Sequence, residues 1–168
     1  IAMTNKYFDG VLNVNTCSEA VDEELKAAAL EAVAKVDKNI ASYHIADAVE
    51  AVMSFAKRCN KYIDETTPWA LAKDEEKKAR LGTVLYNLLE SIRFIAVLVR
   101  PFIPETSEKI LAQLNCDIDT FDSLSAFGAL KAGSSVGEAV PLFSRLDVEK
   151  TLADIEASLP DVEAKEEK

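Results

Sequence analysis

Apolar residues recur every three or four positions along most of this chain, and little interrupts them. The clearest run is Leu81, Val84, Leu85, Leu88, Leu89, Ile92, Ile95, Ala96 and Val99, a stripe wide enough to demand a helix with a core-facing side. Val21, Leu25, Ala29, Ala32, Val33, Val36 and Ile40 form an earlier stripe. Ile45, Ala48, Val49, Val52, Ala56, Cys59 and Ile63 form the next. Only 5 Gly and 5 Pro occur in 168 residues, so the helices can be long. Thr66-Thr67-Pro68 breaks the second stripe, because proline disfavours helix at the residue before it, and Pro68 can open a short turn, Trp69 to Lys73. Pro101 ends or kinks the helix of the clearest stripe, and Pro104 opens another that turns Ile110, Leu111 and Leu114 inward.

The remaining segments fit the same picture. Residues 1–8 read as the end of a helix, stopped by Gly10, and Asn13 to Thr16 as loop. Ser18 is the expected N-cap of the next helix, with Glu19, Asp22, Glu23 and Glu24 at its positive end. Gly128, Gly133 and Gly137 punctuate an irregular stretch over 116–146. Val148, Leu152, Ile155 and Leu159 predict a last inward-facing helix, and the charged run 160–168 a solvated tail or linker. No alternating strand pattern appears. The expected architecture is an all-α bundle of four to five helices, one domain over 1–159.

Composition narrows the function. The net charge is −10 and apolar residues make up 49%, which excludes a disordered chain. No uncharged apolar run approaches 18 residues, so no membrane partner is expected. No charged start followed by an apolar stretch marks a signal peptide, and a first residue Ile1 reads as a start inside a longer protein. Cys17, Cys59 and Cys116 are odd in number and far apart, as free thiols in a reducing cytoplasm would be. His44, the only histidine, is placed to start a helix. A zinc site or a nucleophilic triad would need more than it offers. No G-x-x-x-x-G-K or G-x-G-x-x-G phosphate loop occurs. Neither catalysis nor a cofactor is expected of this chain itself.

The most informative stretch is N-K-Y-I-D-E-T-T-P-W-A-L-A-K, Asn60 to Lys73, which holds the only tryptophan just after a proline. Lys57, Arg58, Lys61 and Lys73 surround it as candidate phosphate contacts. Residues 57–80 carry seven Lys+Arg against five Asp+Glu on a chain that is otherwise acidic. A rigid aromatic beside cations suits an unstacked base. The competing reading makes Trp69 a core anchor, and the residues alone favour it, because lone tryptophans are usually well buried. Arg93, set among apolar positions, is expected to be a buried or half-buried ion-pair partner.

This stretch resembles the signature of the anticodon-binding domain of methionyl-tRNA synthetases. Asn5-Lys6-Tyr7-Phe8-Asp9-Gly10 resembles the family's N-K-Y-F-x-G, and Arg100-Pro101-Phe102-Ile103-Pro104 its P-x-x-P. Gly137 to Asp147 resembles its G-x-P-x-P-L-F-P-R-I-D, with Ala139 and Ser144 where prolines are common. The resemblance implies a helical anticodon-binding fold of the class I synthetases and recognition of the CAU anticodon of methionine tRNA. It assigns base stacking to Trp69, the shape of the presenting turn to Pro68, and rejection of wrong anticodons to Asp64. A surface residue at a helix end is an equal alternative for Asp64. The family's further anticodon-reading Asn and Arg would precede Ile1.

The HIGH-like and KMSKS-like catalytic strings are absent, so ATP and Mg would act in a catalytic domain of the same polypeptide, and no DNA partner is implied. The anticodon domain of a leucyl, isoleucyl or valyl enzyme is a related alternative, favoured less by the intact D-E-x-x-P-W and P-L-F-x-R-L-D strings. An acidic helical adaptor with an apolar groove is an unrelated one. Purified as it stands, the chain should show no methionine-dependent exchange between ATP and pyrophosphate; a robust exchange signal would overturn this reading of the missing motifs.

Overall fold

In the computed structural model, residues 1–13, 17–143 and 145–158 are described. Seven α-helices follow in order among them: α1 (Ala2–Phe8), α2 (Ala20–Ala41), α3 (Ile45–Thr66), α4 (Pro68–Leu71), α5 (Lys78–Val99), α6 (Pro104–Leu114) and α7 (Val148–Ser158). Short 3-10 turns sit at Glu75–Lys77 and Phe121–Ser125. No strand forms among the described residues; a single antiparallel bridge joins Val11 to Ser135. The expected all-α fold is therefore observed.

The prolines and the chain reversals act as the sequence indicates. Asp9 and Gly10 both take left-handed backbone, with φ of 50° and 78°, and close α1. At Gly10 a Cβ would lie 2.8 Å from the Asn5 side-chain oxygen, so glycine is required twice over, by backbone and by space. His44 caps α3, and Pro104 is in the first turn of α6. Ser18 is not the cap of α2. Glu19 holds that position, and its N–H donates to the Asp22 carboxylate at 2.8 Å. Ser18 lies one residue outside and donates to Glu23 at 3.2 Å instead. Most of the expected loop at Asn13 to Thr16, Ser144, Leu159 and the 160–168 tail lie outside the described residues.

The core is built around α5. One cluster faces α2 and α3 and includes Leu25, Ala29, Val36, Val52, Phe55, Tyr62, Val84, Phe94 and Leu98. A second, on the other side, joins Leu89 and Ala96 to Ile110, Leu111 and Leu114 of α6 and to Leu12, Leu130 and Val136. A helix covered on both sides is apolar nearly all round. Phe94, Val97 and Leu98 are buried though they lie off the stripe read from the sequence. By length and composition the 25-residue stretch Glu75–Val99 could cross a membrane. Its apolar window is mostly buried inside the bundle, as befits a core helix.

The last helix departs from expectation. Val148, Leu152 and Ile155 of α7 are 68%, 54% and 50% exposed, and none of its residues is buried. Periodicity reports an apolar face, not what covers it.

Arg93 is fully buried and paired, as its place among apolar residues implies. Glu90, also fully buried, receives the Arg93 guanidinium at 2.7 Å. Its two oxygens also accept the backbone N–H groups of Gly128, Ala129 and Leu130 at 3.0–3.2 Å. Arg93 reaches on to the Ser123 hydroxyl at 2.8 Å. One ion pair thus pins the irregular 118–130 segment to α5. Replacing Glu90→Ala would strand a buried guanidinium and three donors. A loss of about 3–5 kcal/mol in urea unfolding is expected; a loss under about 1 kcal/mol would show that the segment is held by something else.

Candidate nucleic-acid interface

The Trp69 turn is made by two residues. Thr67 closes α3 and caps α4 in left-handed backbone, φ 42° and ψ 60°. A β-branched residue rarely adopts this conformation, so surrounding contacts must hold it. Pro68 follows at the start of α4, buried, with φ already suited to a helix. The turn is closed by Ala70 and Leu71 N–H groups donating to the Thr67 carbonyl at 2.8 and 3.2 Å. Leu71 packs against the α2–α3–α5 core.

Trp69, between two residues anchored inward, stands 49% exposed at the end of the bundle. It is not a core anchor. The expected short turn is present, as α4 over Pro68–Leu71 rather than Trp69 to Lys73.

Beneath this turn lies a buried polar cluster that the sequence did not announce. Asp22 of α2, fully buried, accepts two bonds from the Arg80 guanidinium of α5, at 2.6 and 2.9 Å. The Tyr62 hydroxyl of α3 donates to Asp22 at 2.6 Å and accepts from the Asn87 side-chain amide of α5 at 3.3 Å. Arg80 also reaches the Cys17 carbonyl at 3.0 Å and Glu19 at 3.1 Å. By sequence alone Asp22 is a helix-start acid favouring the dipole. Its main partners are 40 and 58 residues away, and no local spacing rule could find them.

The other residues singled out by sequence are placed as follows. Asp64 is exposed in the last turn of α3, with Trp69 just beyond. Arg58 is bound to Glu65 at 2.9 Å and to Glu24 at 3.3 Å. Lys61 pairs with Glu65 at 3.4 Å and Lys57 with Glu50 at 3.5 Å, both on the exposed surface. Lys57 lies nine residues before the end of α3, about 14 Å back along the axis. Lys73 is exposed beside the turn and has no carboxylate within ion-pair distance among the described residues. The local positive charge is thus largely answered within the protein.

A family model described as the anticodon binding domain of methionyl tRNA ligase matches residues 14–158. The chain belongs to this family. The methionine–tRNA ligase of Clostridium perfringens is 52% identical over 160 residues, covering 95% of this chain and 25% of that protein. The ligase of Caldanaerobacter subterraneus is 46% identical over 172 residues, covering 100% of this chain and 27% of its own length.

A crystal structure of free Mycobacterium tuberculosis methionyl-tRNA synthetase superposes with a TM-score of 0.80 at 28% identity, over 86% of this chain and 30% of that one. The same enzyme with methionyl-adenylate gives a TM-score of 0.80 over 86% of this chain. The chain therefore spans about a quarter of the length of the curated relatives it matches, and corresponds to the C-terminal part of a methionine–tRNA ligase. The helical anticodon-binding fold is that of the methionyl enzymes rather than of the leucyl, isoleucyl or valyl alternatives.

The Asp22–Arg80 pair has a pH signature. Burial alone would raise the Asp22 pKa; the Arg80, Tyr62 and Glu19 N–H bonds outweigh it and hold the carboxyl below its usual value. A carboxylate depressed by folding contributes stability above its unfolded pKa of about 3.9, and that contribution is lost as pH falls through the folded value. Urea unfolding from pH 7 downward should therefore show a steep decline below about pH 4. That decline should be shallower in Asp22→Asn, which starts less stable at neutral pH. Parallel profiles for the two proteins would remove Asp22 from the account.

Proposed function

We propose that this chain reads the CAU anticodon of methionine tRNA as the C-terminal domain of a methionine–tRNA ligase. The half-exposed Trp69, held outward by left-handed Thr67 and buried Pro68, carries this reading. Anticodon bases splay out of their stack when bound, and an indole with fixed orientation offers one of them a face at little ordering cost. Asp64, exposed one turn earlier, is placed to repel or accept from base edges and so to weigh against wrong anticodons. Lys73 is the cation freest to meet a backbone phosphate. Lys57, Arg58 and Lys61 would have to exchange their carboxylate partners first.

The chemistry of such an enzyme lies outside this chain. Methionine would be activated with ATP and Mg in a catalytic domain of the same polypeptide, and then transferred to the tRNA 3′ end. This domain, residues 1–159 with a charged linker or tail over 160–168, would supply binding energy and discrimination, in the cytoplasm where tRNA is charged. None of its residues acts as nucleophile or general base. With a net charge of −10, little phosphate neutralisation is available and affinity rests more on base contacts, so binding of the isolated chain should be weak; whatever phosphate contacts its cations make, salt removes.

Trp69→Ala tests the reading on two axes. Because the indole is half exposed, the stability loss in urea should stay below about 1.5 kcal/mol, against the 3–5 kcal/mol of a buried Trp→Ala. Affinity for an anticodon stem–loop bearing CAU should fall about tenfold or more, since one base–aromatic stack is worth about 1–3 kcal/mol. A variant that unfolds readily yet binds the stem–loop as well as the wild-type chain would end the anticodon role of Trp69.

A further inference from the structure

The Tyr62 hydroxyl is a single oxygen at which three helices meet. It belongs to α3, donates to Asp22 of α2 at 2.6 Å and accepts from Asn87 of α5 at 3.3 Å. The same residue's backbone carbonyl accepts the Thr66 hydroxyl at 2.7 Å. Thr66 is buried, and the chain then runs through left-handed Thr67 and buried Pro68 directly into Trp69. From the buried carboxylate to the exposed indole the connection is continuous, with no exposed flexible link between.

Two further observations bear on this cluster. At the far end of the α2–α3 pair Ala32, Val36, Ala48 and Val52 are all buried, and the turn is closed by backbone, the His44 N–H donating to the Asn39 carbonyl at 2.8 Å. Among the described residues, the buried side-chain hydrogen bond between α2 and α3 lies at the end that presents Trp69. The cluster is also incompletely satisfied. The side-chain oxygen of Asn87 is buried without a hydrogen-bond partner, although the residue is only 1% exposed. A leucine of similar size would not carry that cost.

We propose that Tyr62, with Asp22, Arg80 and Asn87, is a positioning network that fixes the direction and mobility of Trp69, the Tyr62 hydroxyl being its shared atom. The network touches no nucleotide. It acts by holding α3, and so the Thr67–Pro68 turn, against α2 and α5 before any ligand arrives. A stacking face that is immobile beforehand loses less freedom on binding. The consequence for RNA rests on the anticodon reading given above; the consequence for Trp69 itself does not.

Trp69 is the only tryptophan, so fluorescence excited at the red edge, where the four tyrosines do not absorb, reports on it alone. Tyr62→Phe keeps the ring in place and leaves the Asp22–Arg80 pair intact; Asn87→Leu removes the donor and the orphan oxygen together. In both variants, Trp69 anisotropy should fall and acrylamide quenching should rise while circular dichroism stays that of the wild-type chain. Affinity for the CAU stem–loop should weaken about three- to tenfold, the worth of one hydrogen bond. Asn87→Leu should be at least as resistant to heat as the wild type, which a purely structural role would not allow alongside a loosened indole.

Unchanged anisotropy and quenching in the folded variants would overturn the proposal, whatever their melting temperatures. Should Tyr62→Phe fail to fold, Asn87→Leu decides alone. A wild-type chain that does not distinguish CAU from another anticodon would sink the anticodon reading, while the Trp69 signal would still decide the positioning role.

Discussion

A helix carrying Arg80, Glu90 and Arg93 can sit at the centre of a bundle only if its charges are answered inside the protein. In α5 all three are, and the manner of the answer organises everything around it. An unpaired buried ion would be driven toward its neutral form or out of the core, at a cost of several kcal/mol. Glu90 and Arg93 cancel each other and then use their remaining bonding capacity on the 118–130 segment, whose regular structure is one short 3-10 turn. Arg80 is cancelled by Asp22 and ties the first turn of α2 to the first turn of α5. Two ion pairs on one helix thus fix two different neighbours, one irregular and one helical. Apolar burial supplies the bulk of the driving force; the ion pairs decide which segments lie where.

This division explains what was legible beforehand. Helix existence and the proline-set boundaries at Pro68, Pro101 and Pro104 follow from local rules, because periodicity and ring sterics act within a few residues. The face of α5 was only half legible, because a helix covered by two clusters has no single stripe to find. α7 looked like a core helix because amphipathicity is a property of the segment, whereas burial depends on what is placed opposite it. Ser18 and Glu19 compete as caps one residue apart. The choice goes to Glu19, whose partner Asp22 is already held in place by Arg80 and Tyr62.

The candidate site was legible to a similar depth. Proline before tryptophan in a lysine-rich stretch is visible in the sequence, and family motifs gave it a meaning that composition could not. The supporting cluster was invisible for a plain reason. Asp22, Tyr62, Arg80 and Asn87 are spread over more than sixty residues, and each has an ordinary local explanation as a first-turn acid, an aromatic in a helix, a helix-start cation or a polar interruption. Only their convergence makes them a unit. The basic residues of α3 were misleading in the opposite way: a count of charges cannot see that Lys57, Arg58 and Lys61 already face carboxylates of α3 and, for Arg58, of α2 as well.

The left-handed backbone at Thr67 also sorts a residue between two compartments. Along α3 the buried line runs through Phe55, Tyr62 and Thr66. Position 69 is seven residues beyond Tyr62 and three beyond Thr66, so an uninterrupted helix would carry it on the same phase, toward the interior. One residue with positive φ resets that phase. What would have been the next core position becomes a half-exposed one, while Pro68 prevents the helix from healing the break. The tryptophan thus keeps the sequence spacing of a core residue while standing in solvent, and a reading of periodicity alone would always assign it to the wrong side of the protein surface.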